Sequence, residues 1–479
     1  NFENGGYDIL EVEIVKPESI FFLNEYNDRE SFVGPQEGFD RVIPYIVEPK
    51  LSEEGNIILD FRKSIDTATK SSVKSEAEII DETFESMAGV VIYYADQPFN
   101  LNPEEINFTN DQITLLKIKI DELKIIDTNF ENNLIENYEN SIIQINKDIN
   151  KNLAIYKYKE FVNDFGGIKG IYLNSYDFLN LEKMSSIKAI IDETVVNTLV
   201  IDVKTDHGHL MYDSNVQESY EINNERVKFN KTSLEELKTN HNLYLIGRVV
   251  AFQDPLFAKT YQESSVFNSK TNSIFTKNGQ YFLDPSDQKS RNYILNIAIE
   301  ACHLGFDEIQ FDYIRYPDAV NNHLVYEEES NFENRTRNIN SFLYEATKIL
   351  HGEGCLVSAD IFGYVLQSES DNGIGQHLET IVKSVDFIAP MVYPSHYSNG
   401  SFGYKYPNRH PYEVITAALS DGLSRGTKIE QLRPYLQGFW HTSEDVRLNI
   451  KAAEDMGLDW IIWNNSSMYD ANYFTKIES

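Results

Sequence analysis

The sequence predicts an α/β fold, a (β/α)8 barrel of the TIM type preceded by a smaller β-rich and helical N-terminal domain. At 479 residues the chain exceeds what one hydrophobic core supports, so more than one domain is expected. From about Ile168 onward, short β-rich apolar runs alternate with amphipathic stretches at regular spacing, the grammar of repeated βα units. Eight such runs over about 300 residues match the strand count and length of a closed barrel.

In chain order, residues 1–110 read as a small β-rich domain with irregular loops. Its best strand candidates are Val12–Val15, Ile57–Phe61 and Gly89–Tyr94. Residues 111–165 form a helical connecting segment. There Ile118, Leu123, Ile126, Leu134, Tyr138, Ile142, Ile145, Ile149 and Leu153 recur mostly every three to five positions, which predicts one or two long helices. Residues 166–479 are the barrel domain. Its expected strands are Ile168–Asn174, Thr198–Lys204, Leu243–Phe252, Glu308–Ile314, Leu356–Phe362, Asp386–Tyr393, Arg433–Phe439 and Asp459–Asn464. Between them, Ser290–Leu304 places Ile294, Ile297, Ala298 and Ala301 on one helical face, opens on the cap signal Asp284-Pro-Ser-Asp287 and stops at Gly305. Asn449–Met456 does the same before Gly457. Both helices lead into a strand through a Gly-(Leu/Phe)-Asp step, so two αβ loops share one design.

The chain carries 42 basic and 75 acidic residues, a net charge of −33 spread along its length, which argues against nucleic acid as a partner. Cys302 and Cys355 have no neighbours at metal-ligand spacing and read as small buried apolar residues; so few cysteines suit either the cytosol or a bacterial exterior. No apolar run approaches the roughly 20 residues of a membrane span. The start at Asn1, without Met, leads to the expectation of a removed secretion signal and an extracellular, periplasmic or cell-envelope location.

The chemistry is expected at the strand ends. Along a barrel strand, alternate side chains face the lumen. On the second strand Val200, Asp202 and Lys204 share one parity, on the fourth Gln310 and Asp312, on the fifth Ser358 and Asp360. Three strands thus send acids inward near their C-terminal ends, where barrel enzymes build their sites. Burying an unpaired carboxylate costs several kcal/mol, so Asp312 marks a strand exit where a site opens. Asp312 and Asp360 fall on neighbouring strands about 4.8 Å apart, which allows a carboxyl separation of about 5 to 6 Å. That is the spacing of a retaining glycosidase, in which one carboxylate attacks the anomeric carbon and the other, kept protonated by the first charge, donates to the leaving oxygen. The competing reading is structural, with Asp312 paired to Arg315 or Arg248 and Asp360 capping the turn into Gly363.

Around the pair, Lys204 and Arg248 are expected at the same rim, keeping Asp202 and Asp312 ionised. Tyr393 and His396 follow the sixth strand, Gln437 and Trp440 the seventh, Trp463 and Asn464 the eighth; they offer hydrogen bonds and aromatic faces to a sugar. With Gln310 and Arg315 these complete the expected substrate-binding set. A long loop after the third strand, holding Phe257, Tyr261, Phe267, Phe275, Tyr281 and Phe282, reads as a cleft wall. Asp202-Val-Lys-Thr-Asp-His-Gly-His209 contains a His-x-His pattern, but no second His pair stands at a suitable strand end. It reads as a solvated loop, with a His207/His209 metal-dependent hydrolase as the last-ranked possibility. No cofactor and no metal are expected.

The segments Lys169-Gly-Ile-Tyr-Leu173, Val200-Ile-Asp-Val-Lys204, Ile246-Gly-Arg-Val-Val250, Gly305 to Pro317, Val357-Ser-Ala-Asp-Ile-Phe-Gly363 and Ala389-Pro-Met-Val-Tyr-Pro394 together resemble the bacterial family described as putative glycosyl hydrolase. These barrel proteins are distantly similar to the α-amylase and α-galactosidase clans. The resemblance covers about residues 168 to 465. It implies a nucleophile at the end of strand four, matching Asp312, and a proton donor on strand five or six, which points to Asp360. The α-amylase pattern has an arginine two residues before its nucleophile and a glutamate on strand five, where this chain has Gln310 and Asp360. The expected function is therefore hydrolysis of a polysaccharide or oligosaccharide, the N-terminal domain shaping the site, delivering the glycan or associating with the envelope. The alternative is a carbohydrate-binding or envelope scaffold that kept the barrel without its chemistry.

Overall fold

The computed structural model describes five strands between Leu10 and Phe61, and residues 132–474 other than 179, 223–228 and 320–322. The chain divides into two compact units, Asn1–Tyr156 and Lys157–Ser479. In the first, Arg29–Phe32, Ser19–Leu23, Leu10–Lys16, Ile57–Phe61 and Ile46–Leu51 lie in that order in one antiparallel sheet. Two expected strands fall within it; Gly89–Tyr94 lies outside the described residues. A helix runs from Asn132 to Phe165, the last residue of the expected helical segment. The first part of that pattern, 111–131, is also outside the described residues.

The second unit is a closed parallel barrel of eight strands: β1 (Lys169–Leu173), β2 (Thr198–Lys204), β3 (Tyr244–Val250), β4 (Glu308–Asp312), β5 (Leu356–Phe362), β6 (Phe387–Met391), β7 (Tyr435–Gln437) and β8 (Trp460–Trp463). Each lies inside a segment expected from the sequence. Closure comes from β8 against β1, with Ile461 opposite Gly170 and Ile462 opposite Ile171. Helices α1 (Leu181–Glu193), α2 (Lys231–His241), α3 (Gln288–Leu304), α4 (Phe332–Glu353), α5 (Leu378–Ile381), α6 (Pro411–Ser424) and α7 (Ser443–Asp455) connect the strands.

The two parities of each strand separate into two cores. Leu199, Ile201, Val203, Ile309, Phe311, Val357, Ala359 and Ile361 pack outward against the helices, while Tyr172, Val200, Tyr244, Ile246, Ala389, Tyr435 and Ile461 fill the lumen. Below this layer Tyr158, Phe161 and Val162, from the end of the long helix, pack against the lumen residues. The floor also holds a buried ion pair, Arg433 to Glu308 at 2.9 and 3.0 Å, with the Arg433 guanidinium 4.1 Å above the Phe387 ring.

Local chemistry sets the helix ends. The Asp287 side chain accepts from the Ser290 N–H at 2.7 Å and starts α3 at Gln288; Gly305, at φ 112°, ends it as glycine readily does. Helix α7 begins at Ser443, six residues before the expected Asn449, because Thr442 and Asp445 form a reciprocal capping box that the apolar periodicity did not reveal. The αβ loops share a device. Asn197, Asp307 and Asp386 each accept a backbone N–H from the neighbouring strand segment, from Lys169 (2.9 Å), Leu245 (3.0 Å) and Val357 (2.8 Å). These short polar side chains satisfy donors that strand starts would leave unpaired.

The cysteine reading is corrected. Cys302, in the last turn of α3, and Cys355, just before β5, form a disulfide across a sequence separation of 53. Both are buried as expected of apolar residues, but the barrel brings the end of one helix beside the start of the next strand but one, a proximity that spacing cannot reveal.

Candidate active site

Arg248 of β3 organises the C-terminal mouth of the barrel. Its Nη1 donates to Asp202 Oδ1 at 2.6 Å, while its Nε and Nη2 donate to Asp312 Oδ2 at 3.0 and 2.5 Å. The strand register explains this, since Arg248 stands opposite Asp202 on one side and Gln310 on the other. Tyr172 donates to Asp202 Oδ2 at 2.5 Å, and the Tyr313 N–H donates to Asp312 Oδ1 at 2.6 Å. Burial pushes the Asp202 pKa up, Arg248 and Tyr172 pulling the other way. The guanidinium therefore does not make Asp202 the easily ionised group that its charge alone would predict.

Asp360 is the contrasting carboxyl. The β4–β5 register runs Gln310 to Ser358 and Phe311 to Ala359, so its continuation sets Asp360 beside Asp312. Asp360 is 1 % exposed against 7 % for Asp312, and its Oδ1 has no hydrogen-bond partner among the described residues. Burial first, and the Asp312 charge second, hold its pKa well above the usual carboxylate range. Tyr393, also buried, has its hydroxyl pKa raised by burial and by the charges of Asp360 and Asp312.

The remaining expected residues distribute as follows. Gln310 accepts from the Tyr435 hydroxyl at 2.5 Å, and its Nε2 is without a partner among the described residues. Trp463 is half-buried, stacked on Tyr172 at 3.9 Å and 5.1 Å from the Arg248 guanidinium, so it serves both packing and site. Gln437 is fully buried and tied to the backbone, accepting from Ser395 N at 3.1 Å and donating to Phe439 O at 2.8 Å. Asn464 donates to Gly438 O and Met468 O. Trp440 is 82 % exposed, at φ 55°, edge-on to Phe439, which in turn contacts His396 and Tyr393. His396 is exposed, with its pKa lowered by desolvation. Arg315 sits beside the Tyr313 and Phe362 rings, 4.9 and 5.0 Å from their centroids.

Lys204 departs from the expected rim. A register shift between Asp202 and Lys204 turns the end of β2, and Lys204 is fully buried against Asp254 at 2.9 Å and Val250 O at 2.8 Å, with the outer-core Tyr293 ring 6.0 Å away. It therefore does not share Arg248's position between the carboxylates. The aromatic loop also spends much of its ring content on packing: Phe257 stacks on Tyr293 of α3 at 4.4 Å, and Val266, Phe275 and Phe282 form a small core of their own. His207 is exposed beside Asp206. Among the described residues no group of three or more His, Cys, Asp or Glu side chains is placed to hold a metal.

Residues 170–469 match the family described as putative glycosyl hydrolase domain. The chain belongs to that family. This glycosyl hydrolase domain is thus the barrel itself, and the chain is a glycoside hydrolase by family. No curated protein matches it. Among solved structures, a hypothetical protein from Ruminiclostridium thermocellum is similar at 31% identity, covering 40% of this chain and 96% of that one, with a TM-score of 0.35. The glycoside hydrolase domain of PgaB (BpsB) from Bordetella bronchiseptica is 13% identical over 63% of this chain and 94% of its own, TM-score 0.47. That of PelA from Pseudomonas aeruginosa is 9% identical over 63% and 96%, TM-score 0.38. The site chemistry rests on this chain's own residues.

Three residues at the site escaped the sequence reading: Tyr172, Tyr313 and Tyr435. Tyr172 and Tyr435 follow the lumen parity already used for the acids, so extending that rule to β1 and β7 finds them. Tyr313 takes a left-handed φ of 52° directly after Asp312. Nothing in a Tyr announces that conformation, which costs a non-glycine residue on the order of 1 kcal/mol or more.

Proposed function

We propose that this barrel cleaves glycosidic bonds of a polysaccharide or oligosaccharide with Asp312 as nucleophile and Asp360 as general acid/base, with retention of anomeric configuration. The observation that carries the reading is the contrast between two adjacent carboxyls. Asp312 is ion-paired to Arg248, whereas Asp360 forms no ion pair among the described residues and burial and the Asp312 charge raise its pKa against the opposing pull of Arg248. Retaining hydrolysis needs that contrast, one group as nucleophile while its neighbour carries the proton for the leaving oxygen. After the glycosyl-enzyme forms, Asp360, now deprotonated, takes a proton from water as the water attacks the anomeric carbon and frees Asp312. Arg248 orients Asp312, and Trp463 and Trp440 offer faces for sugar stacking. The Cys302–Cys355 disulfide supports an oxidising, extracytoplasmic setting. No helix among the described residues is long and apolar enough to cross a membrane.

A second reading draws on the same geometry. Asp312 Oδ2 already accepts two guanidinium bonds and Asp360 is 1 % exposed, which suits a carbohydrate-binding scaffold whose acids are structural. One experiment separates them. Wild type, Asp312→Asn and Asp360→Asn are incubated with a polysaccharide panel, reducing ends are counted and the first-formed anomer is read by proton NMR. The enzyme reading expects release by wild type with retained configuration and loss of at least about a thousandfold in Asp312→Asn. Binding without release by wild type, or full activity in Asp312→Asn, sinks it.

A further inference from the structure

Arg315, at the exit of β4, is a cation whose charge no carboxylate among the described residues neutralises. Arg248, Arg335, Arg425 and Arg433 each hold a carboxylate. Arg315 forms no ion pair among the described residues. Among the described residues its side chain makes a single hydrogen bond, from Nη1 to its own neighbour's carbonyl, Tyr316 O, at 3.2 Å. A guanidinium has five N–H donors, so most of this fork faces solvent or ligand.

Its surroundings fix it without neutralising it. Its Cζ lies 4.9 Å from the Tyr313 ring centroid, 5.0 Å from Phe362 and 6.0 Å from Phe282. Aromatic faces hold a guanidinium plane by cation–π attraction and exclude some of its water, yet accept none of its hydrogen bonds. Tyr313 connects this cation to the carboxylate centre, since it follows Asp312 directly and donates its N–H to that side chain. The left-handed turn at Tyr313, closed by the Arg315 N–H on Tyr313 O at 2.9 Å, sets Arg315 three residues past Asp312 at the exit of β4.

We propose that Arg315 is a specificity-determining residue that docks a carboxylate borne by the substrate, so that the glycan is acidic. This deepens the proposed hydrolysis and rests on it for the site's role. A planar carboxylate is the group whose two oxygens match two parallel guanidinium N–H donors. In a chain of net charge −33, a neutral sugar would need no such half-buried, unneutralised cation at the exit of the strand that carries Asp312. The carboxylate belongs to a hexuronic acid or to a carboxylated ether substituent on an amino sugar; both present the same group.

The test is binding, which is independent of turnover. Calorimetric or NMR titrations of wild type compare glucuronate and galacturonate with glucose and galactose, and N-acetylmuramate with N-acetylglucosamine. The expected result is a preference on the order of tenfold for the acid over its neutral partner in at least one arm. That preference weakens as salt is added and falls to about unity in Arg315→Gln. Which arm carries it identifies the source of the carboxylate. No preference in either arm, or a preference that survives both Arg315→Gln and high salt, overturns the proposal. Should Arg315→Gln fold poorly, the salt titration on wild type decides alone. Failure here leaves hydrolysis of neutral glycans open, whereas failure of the Asp312 experiment does not touch this binding.

Discussion

Asp360 is where the proposed mechanism makes its sharpest demand. Its pKa is raised chiefly by burial and then by Asp312, so the folded protein keeps this proton when the unfolded chain has released it. The stability associated with it is complete below the unfolded pKa, roughly pH 4, and is lost as pH rises through the raised folded value. Asp360→Asn, which removes the ionisable group, should therefore gain stability over wild type as pH increases across that window, measured as the difference in urea midpoints. Turnover by wild type should fall on the alkaline side as Asp360 deprotonates. A midpoint difference independent of pH would contradict the assignment. The acids were legible in sequence because a carboxylate on a strand's lumen parity has few structural reasons to be there. The guanidinium of Arg248 beside Asp312 was legible too, but the depth at which Asp360 is buried was not, since it comes from register and closure. Lys204 shows the limit of parity, because one register shift at Val203 sends it to Asp254.

All eight strands could be drawn from the sequence, the lumen parity of β2, β4 and β5 from alternation except at Lys204, and the α3 cap from its Asp and Gly. What stayed hidden was pairing between distant segments. The disulfide joins the end of α3 to the start of β5, the strand that carries Asp360. Closing a loop of 53 residues restricts the unfolded chain by about 4 kcal/mol in the chain-entropy view. Reduction, or Cys302→Ser with Cys355→Ser, should lower the denaturation midpoint accordingly while leaving the native circular dichroism spectrum unchanged. An unaltered midpoint after complete reduction would show that the bridge adds nothing. The αβ loops carry the same lesson in smaller form, for the Gly-(Phe/Leu)-Asp step was visible, but that Asp307 clamps Leu245 was not.

The barrel's floor includes the last turns of the long helix, residues 157–165. Tyr158, Phe161 and Val162 belong to residues that apolar periodicity assigned to a connecting segment, yet they pack on the lumen side chains, with Tyr158 beside Tyr244 and Phe387. A chain starting at 166 should consequently be less stable than one starting at 132, by roughly 2 to 5 kcal/mol for the loss of large buried rings. Equal melting temperatures for the two would remove the helix end from the barrel's core. No sequence pattern marked this, because a helix that covers a barrel end shows the same apolar face as one packed anywhere else.

The claim on which the mechanism depends is that Asp360, beside Asp312 at the mouth, keeps its proton well above the pH at which an ordinary aspartate releases it. Carboxyl carbon-13 NMR of labelled aspartate, with Asp360→Asn to assign the signal, follows that proton directly. Asp360 should remain protonated well above the range of ordinary aspartates, and its midpoint should drop when Asp312→Asn removes the neighbouring charge. A carboxyl that titrates near pH 4, like that of an exposed aspartate, would contradict it.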